Sequence, residues 1–534
     1  MYDWVKHLTG YEEKDLRNPD ILKTVIEHKD TYKEDEAKYG GYHLTIKNSV
    51  RNVEYDAGHF YIQSVGSLQD EYDALNTAEG DSDFQSCELI VDLRQDAAAT
   101  KFVDVSCLQS SGYYNGCMFQ AASNFNGIEA IEEGSSPEDP RFLTEYVDDM
   151  TQGPSASVSA GPGAVTRLFC PFYQPEKPAE EWSQTKDRQV EFLEDVKKYF
   201  TVENGYVVQS GSEDSLEVDP DGEAVEKKEE VEEVEEKIEE KIVEEVSEDK
   251  KEEVSEESFE EVKKEVEDEA KVEVIEKKEE EEEEKKEEEE KKDNEEEVKE
   301  DIVSESEEKK QKVEEEKKDN EEEVSEEKKE EVEVEEERKE EEEEEEEERK
   351  DEISEEEKER IYNKIMRRVK VGVHLNIQPT FGEKNLWDQT MMVNYNQEAR
   401  ISQVFCAAMN LRQGENGYNN YTIESGTRKA ELLLEAAYRG TYLAAIRHKC
   451  PALLLTLIGG GAFGNSTNLI FDVIKRVHLE LACVKKNQTL RQVRVVLFSM
   501  ANGMIEFLKD LQNRGVDVKI YAYRGNNGTI YTKF

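Results

Sequence analysis

Two stretches of the chain carry residue types that could hold a ligand. The first is ALLLTLIGGGAFGN, where an apolar run (452–458) empties into Gly459, Gly460, Gly461, Phe463, Gly464 and Asn465. Successive glycines let backbone N–H groups approach a diphosphate, and a helix beginning near Asn468 adds the favourable end of its dipole. The spacing matches neither the P-loop signature nor GxGxxG, which argues against both of those nucleotide folds. The plainer alternative is a tight strand-to-helix turn. The second stretch runs from 117 to 167. Here Ser123, Asn124 and Asn126 follow a strand-like run, and Thr151, Gln152 and Gly153 open a small-residue segment ending near Phe169. Hydroxyls and amides at a strand end suit a ribose or a base edge, and ordinary turn chemistry is the alternative.

The elements that must position these residues follow from hydrophobic periodicity. In the first part of the chain, 42–50, 59–64 and 89–92 read as strands, and 154–169 as a helix. Val190, Leu193, Val196 and Phe200 share one side of a helical wheel, which predicts an amphipathic helix over 186–200. The second part alternates more plainly. Helices are expected at 355–368, 428–449, 468–485 and 503–513, with strands at 369–377, 400–411, 452–458, 493–499 and 516–523. Strands alternating with helices of this length signal a largely parallel sheet.

Charge divides the chain. Of 534 residues, 130 are acidic and 70 basic, a net of −60. Residues 211–360 alone hold 80 of the acidic and 29 of the basic groups, a net of −51, with Phe259 their single aromatic. Such a composition buries too little apolar surface to offset its ordering entropy, so the block is expected to be disordered or transiently helical. The remainder, 1–210 and 361–534, carries a net of only −9. Neither part supplies a complete sheet, so one α/β domain interrupted by the acidic block is the expected organisation. Nucleic-acid binding through bulk charge is excluded, because phosphate neutralisation needs an excess of Lys and Arg. No apolar stretch is long enough to span a bilayer, and the first residues lack a signal-peptide core. An intracellular protein, cytoplasmic or nuclear, is therefore expected, with free thiols, no cofactor and no metal site.

Taken in order, QAASNFN, YVDDMTQGP, VGVHLN, SQVFCAAMNL and LLEAAYRGTYLAA…LLLTLIGGGAFGN resemble a macrodomain-like family related to ADP-ribose binders and poly(ADP-ribose) glycohydrolases. The resemblance covers both parts and is interrupted by the acidic block. It implies a three-layer α/β/α fold and an ADP-ribose or related nucleotide as ligand. It also implies that Asn124 and Asn126 face the distal ribose, with Thr151, Gln152 and Gly153 beside it. The Gly459–Asn465 loop would then wrap the diphosphate, with Phe463 stacking near the ribose. The glycohydrolase GGG…QEE signature is missing. If the chain hydrolyses an ADP-ribosyl bond, a carboxylate must protonate the leaving group or orient a water, and Asp149 and Glu398 are the candidates. His374 and His448 read as structural, and Arg167 either as a phosphate-neutralising group or, more plainly, as a helix-surface residue. The competing expectation is a non-enzymatic scaffold that recruits basic partners through 211–360.

Overall fold

The computed structural model describes residues 3–29, 41–75, 83–96, 99, 102–123, 125–128, 135–144, 156–203, 206–208, 354–384, 391–393, 398–411, 423–485, 487, 489–525 and 528–533. Met1–Val218 and Lys358–Phe534 form one compact unit, and Asp219–Glu357 another that falls almost wholly outside the described residues. The expectation of disorder within the acidic block lies outside them up to residue 353.

The first part of the chain gives β1 (Ile26–His28), β2 (His43–Asn48), β3 (Val53–Ser64), β4 (Glu88–Arg94) and β5 (Met118–Ala122). Thr201–Glu203 (β6) and Tyr206–Val208 (β7) make a small hairpin. The second part gives β8 (Lys370–Ile377), the short pair β9 (Phe381–Lys384) and β10 (Met391–Val393), then β11 (Ile401–Cys406), β12 (Ala452–Leu455), β13 (Gln492–Leu497), β14 (Val518–Arg524) and β15 (Gly528–Lys533). Helices are α1 (Trp4–Thr9), α2 (Pro19–Val25), α3 (Val65–Ala74), α4 (Val105–Ser110), α5 (Gly161–Phe169), α6 (Glu355–Arg368), α7 (Ile423–Arg447), α8 (Thr467–Val477) and α9 (Met504–Asn513).

Eleven strands drawn from both parts interleave in one sheet, in the order β1-β2-β3-β8-β11-β5-β12-β13-β4-β14-β15. The centre, β11-β5-β12-β13-β4-β14, is parallel throughout. Outside it β8, β2 and β15 run against the rest. The fold is α/β, a mixed, largely parallel sheet flanked by helices.

Alternation along the strands assigns the two faces. Met118, Leu453, Leu455, Val493 and Val495 point into a core shared with α3, α6, α7, α8 and α9. Phe119, Ala121, Leu454 and Val496 point the other way, toward α4 and the segment around Phe192. A third cluster packs α1, α2 and α5 against β2 and the start of β3. All seven cysteines are free. Among the described residues no helix is long and apolar enough to cross a membrane.

Most expected elements form, with ends moved by a few residues. The helix expected over 186–200 does not. Its stripe is buried as anticipated, with Val190, Leu193, Val196 and Phe200 all in the interior. Its backbone, however, is taken by neighbours: Val190 O accepts from Asn126 N–H at 2.7 Å and Phe192 O from Lys370 N–H at 2.9 Å. Only a 3₁₀ turn, Glu194–Tyr199, remains.

Candidate functional site

In a parallel sheet, loops after the carboxyl ends of the strands gather on one edge. Here β5, β11 and β12 are neighbours, so the segments after Ala122, Cys406 and Leu455 come together. The two sequence-selected stretches therefore share an edge.

The loop after β12 is locked by its own backbone. Gly459 sits in the left-handed region at φ 75°, and a Cβ there would lie 2.5 Å from the Ala408 Cβ. Gly460 N–H donates to Leu457 O at 3.0 Å, Gly464 N–H to Gly461 O at 3.2 Å, and Asn465 N–H to Gly459 O at 2.9 Å. Asn465 is buried, and its Nδ2 donates to Met409 O at 2.8 Å and to Gly459 O at 3.2 Å, tying the loop to the segment after β11. Its Oδ1 has no partner among the described residues. Phe463 is half-buried against the core, and its carbonyl accepts from Leu411 N–H at 2.9 Å. Below the loop, Tyr438 Oη donates to Thr456 O at 2.7 Å and accepts from Ile458 N–H at 3.1 Å.

The crest of the loop is open. Gly461, Ala462 and Gly464 are exposed, and a Cβ on Gly461 would meet nothing within 4 Å. Helix α8 starts three residues after Gly464. Ser466 at its N-cap makes no side-chain cap bond, and Thr467 Oγ1 turns instead to Asn502 O at 2.9 Å. The first N–H groups of α8 thus lack the usual side-chain acceptor, and the dipole favours negative charge nearby.

The corner after β5 is different. Ser123 N–H extends the ladder to Cys406 O at 2.8 Å, and Ser123 Oγ donates to Phe125 O at 2.5 Å. Asn126 adopts φ 57°, its Oδ1 accepts from Ile128 N–H at 2.8 Å, and its carbonyl accepts from Gln184 Nε2 at 2.7 Å. Both side chains are buried and engaged in the turn itself. Asn124, Asp149, Thr151, Gln152 and Gly153 lie outside the described residues.

Glu398 is not brought to this edge. It is exposed in a turn just before β11, at the amino end of a six-residue strand about 20 Å long. The glycine loop leaves the carboxyl end of the parallel strand β12. The neighbouring Arg400 Nε pairs with Asp56 Oδ2 at 3.2 Å, on that opposite edge.

Arg167 departs from the sequence expectation. It is not on a helix surface but wholly buried, among neutral partners. Its Nε donates to Gly127 O at 2.8 Å and Nη2 to Ser157 O at 2.6 Å. Its Nη1 donates to His374 Nδ1 at 2.8 Å and to Gln403 Oε1 at 3.2 Å. Burial pushes the guanidinium well below its ordinary pKa. His374 is lowered too, by burial first and then by Arg167. Its Nε2 donates to Ala57 O at 2.7 Å, so the ring is neutral with Nδ1 as acceptor. His448 is likewise structural, pushed to about 4 by burial, with Tyr61 Oη 2.5 Å from its Nε2.

No family model matches the chain, and no curated protein matches it in sequence. Among solved structures it is similar to the poly(ADP-ribose) glycohydrolase of Thermomonospora curvata, crystallised with the inhibitor ADP-HPD, at 17% identity and a TM-score of 0.19. The match covers 27% of this chain and 48% of that one, so the chain spans about half that protein's length. At such a score the likeness decides nothing.

Proposed function

We propose that the carboxyl edge of β5, β11 and β12 binds a nucleoside diphosphate of the ADP-ribose kind, its phosphates resting on the backbone of Gly459–Asn465. One observation carries this reading. The loop is rigidly locked at Gly459 and Asn465, yet its crest at Gly461 is bare backbone beside an uncapped helix start. The N–H groups of Gly460, Gly464 and Asn465 are spent within the loop, and the exposed backbone that remains at Gly461 and Ala462, at the positive end of a helix dipole, is suited to an anion. The motif resemblance names the anion. The proposal is limited to binding, because Glu398, the one candidate acid among the described residues, stands on the far edge.

Calorimetric titration of the purified chain with ADP-ribose tests it. Saturable heat at micromolar to millimolar ligand is expected, and no heat at millimolar ligand would sink the idea. Gly461→Asp makes the test specific. The new side chain has open space, so the fold should be unchanged. Its charge opposes phosphate, and like charges brought together cost several kcal/mol, so binding should weaken by about a hundredfold.

A further inference from the structure

Two side chains of one 3₁₀ turn, Glu13–Arg17, hold the segment 137–144 at both of its ends. The Glu13 carboxylate accepts from Leu143 N–H at 2.6 Å and from Thr144 N–H at 2.9 Å. Arg17 Nη2 donates to Pro137 O, and its Nη1 to Gln184 O at 2.7 Å. The fork is thus spent on carbonyls, and its face on the Phe169 ring, rather than on Glu13. Phe142 and Leu143 join Leu16 and Trp182 in the cluster around α1, α2 and α5, and Glu13 is only 3% exposed. A carboxylate removed from water stays ionised only with enough donors or a close cation. Burial outweighs the two amides, the Thr144 hydroxyl and Arg17, and pushes the carboxyl up to about 7. The other charges nearby are turned elsewhere. Lys6 and Lys14 pair with Glu12 at 3.2 and 2.9 Å, and Asp15 Oδ2 accepts from Glu12 N–H. His7 on α1 meets Arg51, and Arg167 on α5 is bonded to Gly127 and Ser157. Asp20 and Lys23 on α2, Glu138, Asp139 and Arg141 on the held segment, and Glu180 and Glu181 beside Trp182 are exposed.

We infer that Glu13 is a pH-sensitive latch: it grips 137–144 most firmly when its carboxyl carries a proton, and ionisation loosens the grip. The sign follows from which state binds the proton. Released to water, the carboxyl titrates near 4.5, whereas docked it keeps its proton up to about 7. Docking is therefore fully supported below 4.5 and loses support as pH rises to about 7. A protonated carboxyl still accepts an amide through its carbonyl oxygen, so acid does not cut the contact. The buried histidines act in the opposite direction, because acid weakens the whole domain by charging His448 and His478. Local release and global unfolding thus have opposite dependences on pH. The inference does not depend on the binding reading above.

Hydrogen exchange of the full chain tests it, read as protection factors corrected for the intrinsic pH dependence of exchange. The amides of Leu143 and Thr144 should lose about tenfold in protection between pH 6 and pH 8. Those of Leu453, Leu454 and Leu455, in the central strand β12, should not lose any over the same range. Glu13→Gln keeps the side-chain shape and cannot ionise, so its Leu143 and Thr144 amides should be equally protected at both pH values. No fall in the unaltered chain, or the same fall in Glu13→Gln, overturns the inference. If Glu13→Gln does not fold, the unaltered chain decides alone. A fall confined to Leu143 and Thr144 supports the latch, and one shared with β12 is global loosening and overturns it.

Discussion

In the corner after β5, the polar side chains that stand out in the sequence are taken up by the turn: Ser123 Oγ by Phe125 O and Asn126 Oδ1 by Ile128 N–H. In the loop after β12 the glycines contribute no side chain, and what they leave at Gly461 is exposed backbone. The two regions sit on adjacent strands at one edge, yet they are held by different means. The first depends on long buried side chains from elsewhere, chiefly Arg167 and Gln184. The second depends on its own turns and on Asn465. Small polar residues at a strand end are thus a poor sign of a ligand contact, since local hydrogen bonds claim them first. A locked glycine run with an open crest is a better one.

The sharpest way to break this contrast is to remove the external support. Arg167→Met should destabilise the protein by about 3–5 kcal/mol, because Gly127 O, Ser157 O and Gln403 Oε1 lose their buried donor. The midpoint of denaturant unfolding measures it, at an unchanged slope. A loss below about 1 kcal/mol would show that the corner stands without the guanidinium, and the contrast would collapse.

Acid should act next. His448 and His478 are each pushed by burial to about 4 in the folded chain. Their folded pKa lies below the unfolded value near 6.5, so the stability they protect is intact above that pH and falls as pH drops through the window from 6.5 to about 4. Each contributes about 3 kcal/mol to the loss. His374 is lowered as well and adds in the same direction. Glu13 works oppositely. Burial pushes its carboxyl up to about 7, against backbone N–H groups of Leu143 and Thr144. A raised carboxyl contributes stability that is full below 4.5 and lost as pH rises to about 7, which offsets about one histidine. A net loss of about 3 kcal/mol or more between pH 7 and 4 is expected. Thermal melting across that range checks it, and a flat profile would contradict the buried neutral histidines.

Much of this architecture is legible in the sequence. The apolar run at 452–458 gives β12, and the 355–368 periodicity gives α6 with both ends as expected. The hidden parts have identifiable physical causes. A six-residue helix such as Trp4–Thr9 is under two turns, too short for periodicity to register. The stripe at 190–200 has helical spacing, but its carbonyls pair with Asn126 and Lys370, which no local pattern contains. Arg167 is the clearest case. Its burial depends on Gly127, Ser157, His374 and Gln403, two partners upstream of it and two far downstream. A sequence window around the arginine shows only a helix residue. The glycine loop is legible because its constraint is local, one strand, one turn and one helix in succession.

The smallest expected effect separates lock from crest within that loop. Gly459→Ala forces a left-handed φ on a residue with a side chain and sets its Cβ against Ala408, at a cost of about 2–3 kcal/mol. Gly461→Ala adds the same methyl where nothing lies within 4 Å and should change stability by less than about 0.5 kcal/mol. Parallel unfolding curves of the two variants measure the difference. Binding then divides them a second way. The methyl added by Gly461→Ala stands where phosphate oxygens would approach the amides, so pyrophosphate affinity should fall although the fold is untouched. Were stability and pyrophosphate affinity both unchanged in that variant, the bare crest would be only the outside of a turn, and the two loops would differ in how they are held but not in what they do.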